Sequence, residues 1–308
     1  MYKIKIIENK NSLLKHIKIT NPLTNLEAII YPNLGASIQK LNINNVCLID
    51  GISNNEIGLE NYKNTFKAAI LFPFPNRIEN GKYSYEKIDY KLTCNEKPLN
   101  NAIHGLVFNK SFNIDNVVQN ARSASISLIY NYDGENTDFP FPYQLALNYT
   151  FSENNLNLNF KVLNTGKKRF PFGIGWHPYF KVNSIAESIL SFDGNEQYQF
   201  SNKMIPTNKI PLQFSTPKKM NNLELDDCFI TNTPKVSLQT NLYDLGIHFD
   251  QTSKQNYIQI YTPSNRKSIA IEPMTCAPNV FNLKDGLLTL KPNKTFNWNI
   301  SLDYKLKK

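Results

Sequence analysis

Residues 143–163 read Tyr143-Gln144-Leu145-Ala146-Leu147-Asn148-Tyr149-Thr150-Phe151-Ser152, then Glu153-Asn154-Asn155, then Leu156-Asn157-Leu158-Asn159-Phe160-Lys161-Val162-Leu163. Both flanking runs alternate apolar and polar residues. That period of two is the mark of a strand with one face buried and one wet. Glu153-Asn154-Asn155 supplies turn chemistry between them, so the segment predicts a β-hairpin with arms Gln144–Tyr149 and Leu156–Phe160. The same period recurs in Lys82 to Leu92 and in Ala124 to Tyr132. Shorter strands follow at Tyr257–Tyr261, Ser268–Glu272 and Phe296–Leu302, and Met1 to Glu8 reads as a first strand. Asn, Pro and Gly punctuate the intervals. No run of 12 residues carries a clean helical stripe, and Asn61 to Ala69 is the best candidate for a turn or two of helix. Many short strands joined by hairpins predict an all-β protein, a large β-sandwich with function on loops and strand ends.

The 308 residues suffice for a sizeable core, with 41% hydrophobic and 12% aromatic residues. No linker, composition break or internal repeat divides the chain, so residues 1–308 read as one domain. The four cysteines (Cys47, Cys94, Cys228, Cys276) are far apart and form no Cys-x-x-Cys pair. They read as free thiols, and with no signal-like or membrane-spanning run the expectation is a cytoplasmic protein. A formal charge of +9 raises the question of nucleic acid. The basic residues are scattered, however, with short runs only at Lys167-Lys168-Arg169 and Lys305-Leu306-Lys307-Lys308, so neither a nucleic acid nor a membrane partner is expected. A monomer or homodimer is expected.

Two of the four histidines sit in dense aromatic, glycine and proline surroundings: His177 in Gly173-Ile174-Gly175-Trp176-His177-Pro178-Tyr179-Phe180, and His104 in Asn101-Ala102-Ile103-His104-Gly105. An imidazole near its ordinary pKa of about 6.5 suits proton transfer near neutrality. Pro178 holds His177 extended, and Gly105 allows a turn or close approach beside His104. Aromatic neighbours such as Trp176 and Phe74 supply flat apolar walls for a pyranose face. The alternative for each histidine is a core residue bonded to a carbonyl.

Three further segments share this character. In Phe72-Pro73-Phe74-Pro75-Asn76-Arg77-Ile78, two prolines pre-set the backbone around the fixed donor fork of Arg77, which suits sugar hydroxyls or a structural carboxylate. In Glu224-Leu225-Asp226-Asp227-Cys228-Phe229, adjacent carboxylates on extended chain point to opposite faces, so one alone enters a given site. In Ile271-Glu272-Pro273-Met274-Thr275-Cys276-Ala277-Pro278-Asn279, Glu272 reads as a strand-end carboxylate, with Pro273 stopping an inner strand. Such a group is a general-base candidate or a solvated strand-end glutamate. No nucleophile elbow, phosphate loop, dinucleotide fingerprint or paired-histidine metal motif is present.

Together these segments resemble the aldose 1-epimerase (galactose mutarotase) family. The resemblance rests on Asn76-Arg77-Ile78 with Gly81, Asn101-x-x-His104-Gly105, His177-Pro178-Tyr179-Phe180, Leu225-Asp226-Asp227-x-Phe229 and Glu272-x-x-x-x-Ala277-Pro278-Asn279, in that family's order. It implies a large antiparallel β-supersandwich and interconversion of α and β anomers of an aldose, with no cofactor or metal. It also implies Glu272 as the base for the anomeric hydroxyl, His177 as the acid for the ring oxygen and His104 as a second histidine beside it. Arg77 and Asp226 take substrate-binding places, with Asn76 and Trp176 expected beside them. Departures at Trp176 and Lys181 around the acid, at Pro273-Met274 after the base and at Leu106, which replaces the second glycine of a His-Gly-Gly motif, alter the expected pocket wall. The rival readings are a silent carbohydrate-binding or sensory protein, a hexose-phosphate mutarotase, and a glycoside hydrolase using Glu272 with Asp226. The expected geometry is one open cleft in which Glu272 faces the histidines across several ångströms. An ionised Glu272 with a protonated His177 predicts a bell-shaped pH profile.

Overall fold

The computed structural model describes residues 1–307, and twenty of its strands form one hydrogen-bonded antiparallel network. The hairpin at its centre follows the alternation. Tyr143–Ser152 pairs with Asn155–Asn164 from Tyr143↔Asn164 to Ser152↔Asn155, and the odd-numbered residues of the first arm are buried throughout. Asn154 takes the left-handed turn position at φ 57°, which its short polar side chain tolerates. Ala124–Tyr132 adds on one side and Thr295–Leu306 on the other. Their inward residues, among them Ile126, Leu128, Leu147, Phe160, Trp298 and Ile300, join one core cluster that reaches from Tyr2 to Tyr304. Each large apolar side chain buried there contributes about 1.5–3 kcal/mol.

The network branches where a strand changes partners. Asp226–Gln239 pairs with Asn256–Tyr261 through Thr231, and with Tyr243–Phe249 from Lys235 onward. Pro234, which has no N–H to donate, lies at the switch. Asp226 thereby enters the same stretch of sheet as the strand Ser268–Met274, which pairs with Asn256–Tyr261 on its other edge.

Three expectations change. Lys82 to Leu92 is a hairpin of Lys82–Tyr85 and Ile88–Lys91, turning at Glu86 and Lys87, both at positive φ. Its alternation runs unbroken through the turn, so periodicity hid the break. The helix is Glu56–Thr65, earlier than Asn61 to Ala69, because Asn55 caps it by accepting from the Gly58 N–H. Pro273 does not end its strand: Ser268–Met274 runs past it as a fully buried inner strand.

Candidate active site

Strand register assembles the centre of the site. Gly175 pairs with Met274, and Tyr179 with Ala270. Continuing that register sets His177 directly opposite Glu272. Both strands carry a proline in this interval, Pro178 and Pro273, and neither proline can donate to the ladder. On the other side Glu272 is paired with Gln259, and Gln259 with Cys228. Two residues along, Tyr179, Ala270, Tyr261 and Asp226 form the next rung. Because side chains repeat every second residue, His177, Glu272, Gln259, Tyr179, Tyr261 and Asp226 share one face of four adjacent strands.

Loops complete the wall. Phe66 ends the helix in a left-handed conformation, and its ring packs 4.7 Å from that of His104. His104 itself lies at φ 62°, its N–H bonded to the Asn76 carbonyl at 2.9 Å. The Asn76 side chain accepts from the Arg77 N–H at 2.9 Å, and the Arg77 carbonyl accepts from Asn279 at 2.7 Å. The separate Asn-Arg-Ile, His-Gly and Ala-Pro-Asn segments are thus tied together through backbone. The result is a single cleft of about 750 Å³, lined by Asn76, Arg77, His104, His177, Asp226 and Glu272.

At its centre His177 Nε2 stands 3.3 Å from Glu272 Oε1, and the His104 and His177 rings meet edge-on at 4.9 Å. The expected gap of several ångströms between acid and base is therefore closed to contact distance in the free protein. Tyr179 stacks on His177 at 5.1 Å, and Asp226 Oδ1 accepts from Gln259 Nε2 at 2.7 Å. Burial dominates the electrostatics. It pushes His177 down to about 3, with Arg77 adding to the effect and the ring's own backbone carbonyl opposing it. It holds His104 well below the usual imidazole range, helped by His177 and Arg77. It raises Glu272 well above the usual carboxylate range, with Asp226 adding and Arg77 opposing. Both imidazoles are therefore neutral near pH 7, and burial favours the uncharged form of Glu272 as well.

Four buried polar atoms here, His104 Nδ1, His177 Nδ1, Glu272 Oε2 and Gln259 Oε1, have no hydrogen-bond partner among the described residues. Ligand atoms of His104, His177 and Glu272 lie within 4.8 Å of one another, a spacing that could gather a metal ion. Metal-binding histidines, however, usually donate their second nitrogen to an acceptor. Neither Nδ1 has an acceptor in good hydrogen-bond geometry among the described residues, so the donor set suits proton transfer better.

Trp176 requires correction. It is fully buried and does not line the cleft. Adjacent residues on extended chain point to opposite faces, so turning His177 into the cleft turns Trp176 into the core. Phe74 is likewise buried, edge-on to Phe281 at 5.6 Å. The aromatic lining comes instead from Phe66, Tyr179 and Tyr261. Tyr179 was findable as the i+2 neighbour of His177, and Gln259 as the one amide in the apolar run Tyr257-Ile258-Gln259-Ile260-Tyr261. Nothing local marked Phe66.

Comparison with known proteins agrees with this architecture. The uncharacterized protein YihR of Escherichia coli K12 is 29% identical over 239 residues, 74% of this chain and 76% of its own length. A galactose mutarotase-like protein from Clostridium acetobutylicum superposes with a TM-score of 0.84 at 21% identity, covering 100% of this chain and 99% of that one. Galactose 1-epimerase from Lactobacillus acidophilus does so at 0.81 and 17% identity, covering 100% and 99%. The fold is the galactose mutarotase-like antiparallel β-supersandwich. No helix among the described residues is long and apolar enough to cross a membrane. A family model described as aldose 1-epimerase matches residues 15–303, and the chain belongs to the aldose 1-epimerase family.

Proposed function

We propose that this cleft catalyses mutarotation of an aldose. The carrying observation is the buried His177–Glu272 pair, 3.3 Å apart at the floor of an open cleft. Glu272 takes the proton of the anomeric hydroxyl while His177 gives one to the ring oxygen, and the C1–O5 bond breaks. The aldehyde turns about C1–C2, and reclosure with the proton transfers reversed yields the other anomer. Protons and electrons balance within the pair and the sugar, with no cofactor or metal in the reaction.

Ring opening starts from the tautomer with the proton on His177 and ends with protonated Glu272 and neutral His177. Burial disfavours the starting ion pair relative to that end state, so the bound sugar must bring the charged tautomer about before the ring opens. The sugar must part the two groups, and its hydroxyls can meet the unpartnered nitrogens and oxygens around it. His104 borders the ring oxygen, Arg77 and Asp226 bind hydroxyls with Asn76 shaping the turn beside them, and Gln259 fixes Asp226. A silent binding protein would have no use for a buried acid–base pair kept at a cost in stability.

Polarimetry of freshly dissolved α-anomers across a panel of aldoses tests the proposal. The protein should accelerate equilibration of at least one, and Glu272→Gln should lose roughly 10²–10⁴-fold in rate, the usual worth of a positioned acid or base. A variant as fast as the parent, or a parent that accelerates none, refutes it.

A further inference from the structure

The donor fork of Arg77 is held from behind. Its Nε donates to both carboxylate oxygens of Glu96 at 3.0 Å, and its Nη2 donates to Oε1 at 2.8 Å. The pair is mostly buried, with side-chain exposures of 11% and 16%. Glu96 Oε2 also accepts from Asn101 Nδ2 at 3.0 Å, and the Glu96 and Asn101 backbones bond reciprocally at 3.1 and 3.3 Å. Asn101 is fully buried and anchored in turn to the Lys203 carbonyl at 2.9 Å. The carboxylate is therefore fixed by a closed loop, and it occupies the Nε–Nη2 edge of the guanidinium. Nη1 makes no hydrogen bond among the described residues, and Arg77 lines the cleft.

Two other carboxylates, Asp226 and Glu272, line the same cleft. A partly buried guanidinium without Glu96 would turn to them, since a charge-assisted fork-to-carboxylate contact is the strongest local alternative. We infer that Glu96 is a positioning residue that keeps Arg77 facing the sugar and off Glu272. The inference rests on the mutarotase reading for its catalytic consequence.

The groups facing Glu272 are His177 and His104 on one side, Asp226, Tyr179 and Cys228 around it, and Arg77 across the cleft. Moving Arg77 closer favours every deprotonated form of the pair, so its proton is lost at lower pH. Glu96→Gln should therefore raise KM roughly tenfold and move the alkaline limb of kcat/KM down by roughly one unit, the low end of a close charge's effect. A scaffold role alone would not move that limb. Glu96→Asp, which keeps the charge but shortens the reach, should restore the pH limb while KM stays elevated.

Long-range ¹H–¹⁵N NMR of the imidazoles reads the titration of the pair directly, with or without turnover. Should Glu96→Gln fold poorly, Glu96→Asp carries the same measurement through its split between KM and pH limb. An unchanged titration and KM in Glu96→Gln, or a pH limb displaced equally in both variants, overturns the inference. A shifted titration in a protein that accelerates no sugar would refute the mutarotase reading and leave the positioning role standing.

Discussion

Gly105→Ala tests whether the His104 turn is set by close backbone contact. Gly105 lies at φ 74° and bridges to Phe72, whose carbonyl accepts from the Leu106 N–H at 2.7 Å. A Cβ there would stand 2.3 Å from that carbonyl oxygen, where real Cβ atoms keep at least 3.0 Å, so the chain must yield by roughly 0.7 Å. The obstacle is backbone of a fully buried residue, so the movement falls on the His104 side. The left-handed conformation costs an alanine about 1–2 kcal/mol, and the overlap adds about 1–3 kcal/mol. A combined loss of about 2–5 kcal/mol should lower Tm by about 3–8 °C. Displacing the histidine that borders the ring oxygen by most of an ångström should cost up to about 10²-fold in kcat/KM. Polarimetric kcat/KM alongside thermal unfolding measures both. Gly134→Ala is the control: it shares the positive φ, at 82°, but meets the ring of Pro142 and lies outside the cleft. It should lose stability without losing rate. A Gly105→Ala protein with parental kcat/KM would refute the reasoning.

Two further outcomes follow from the buried groups. Because Glu272 is raised on folding, the native state keeps its proton longer than the unfolded chain. The stability it contributes is present below the ordinary carboxylate pKa and lost as pH rises through the folded value. Glu272→Gln should therefore gain in Tm over the parent as pH is raised from 5 to 9, and a constant difference would contradict this. His177 has the opposite sign: depressed to about 3, it supports the fold above the ordinary imidazole pKa, and that support fades as pH falls toward 3. Trp176→Phe, in turn, should cost about 1–3 kcal/mol in urea unfolding through lost packing while leaving KM unchanged; a raised KM would return Trp176 to the cleft wall.

The alternation in Tyr143 to Leu163 was enough to specify strands, their buried face and the hairpin, because a period of two is a local property of pleated backbone. The chemical character of His104, His177, Arg77, Asp226 and Glu272 was also legible, since imidazoles, guanidinium and carboxylates set among prolines and glycines are distinctive along the chain. Their arrangement was not. His177 and Glu272 are 95 positions apart, and their meeting depends on the register of two strands around Pro178 and Pro273, which local periodicity does not contain. The phase of the pleat, which turned His177 outward and Trp176 inward, was set by which face met the core. The place of Gln259 beside Glu272 and the hold of Glu96 on Arg77 came from long-range pairing in the same way. Protonation was the most dependent of all: side-chain type assigns His177 a pKa of about 6.5, and burial by tertiary structure carries it to about 3. Residue type could name an acid and a base, but the low-dielectric enclosure that shifts their protonation exists only once the strands have closed around them.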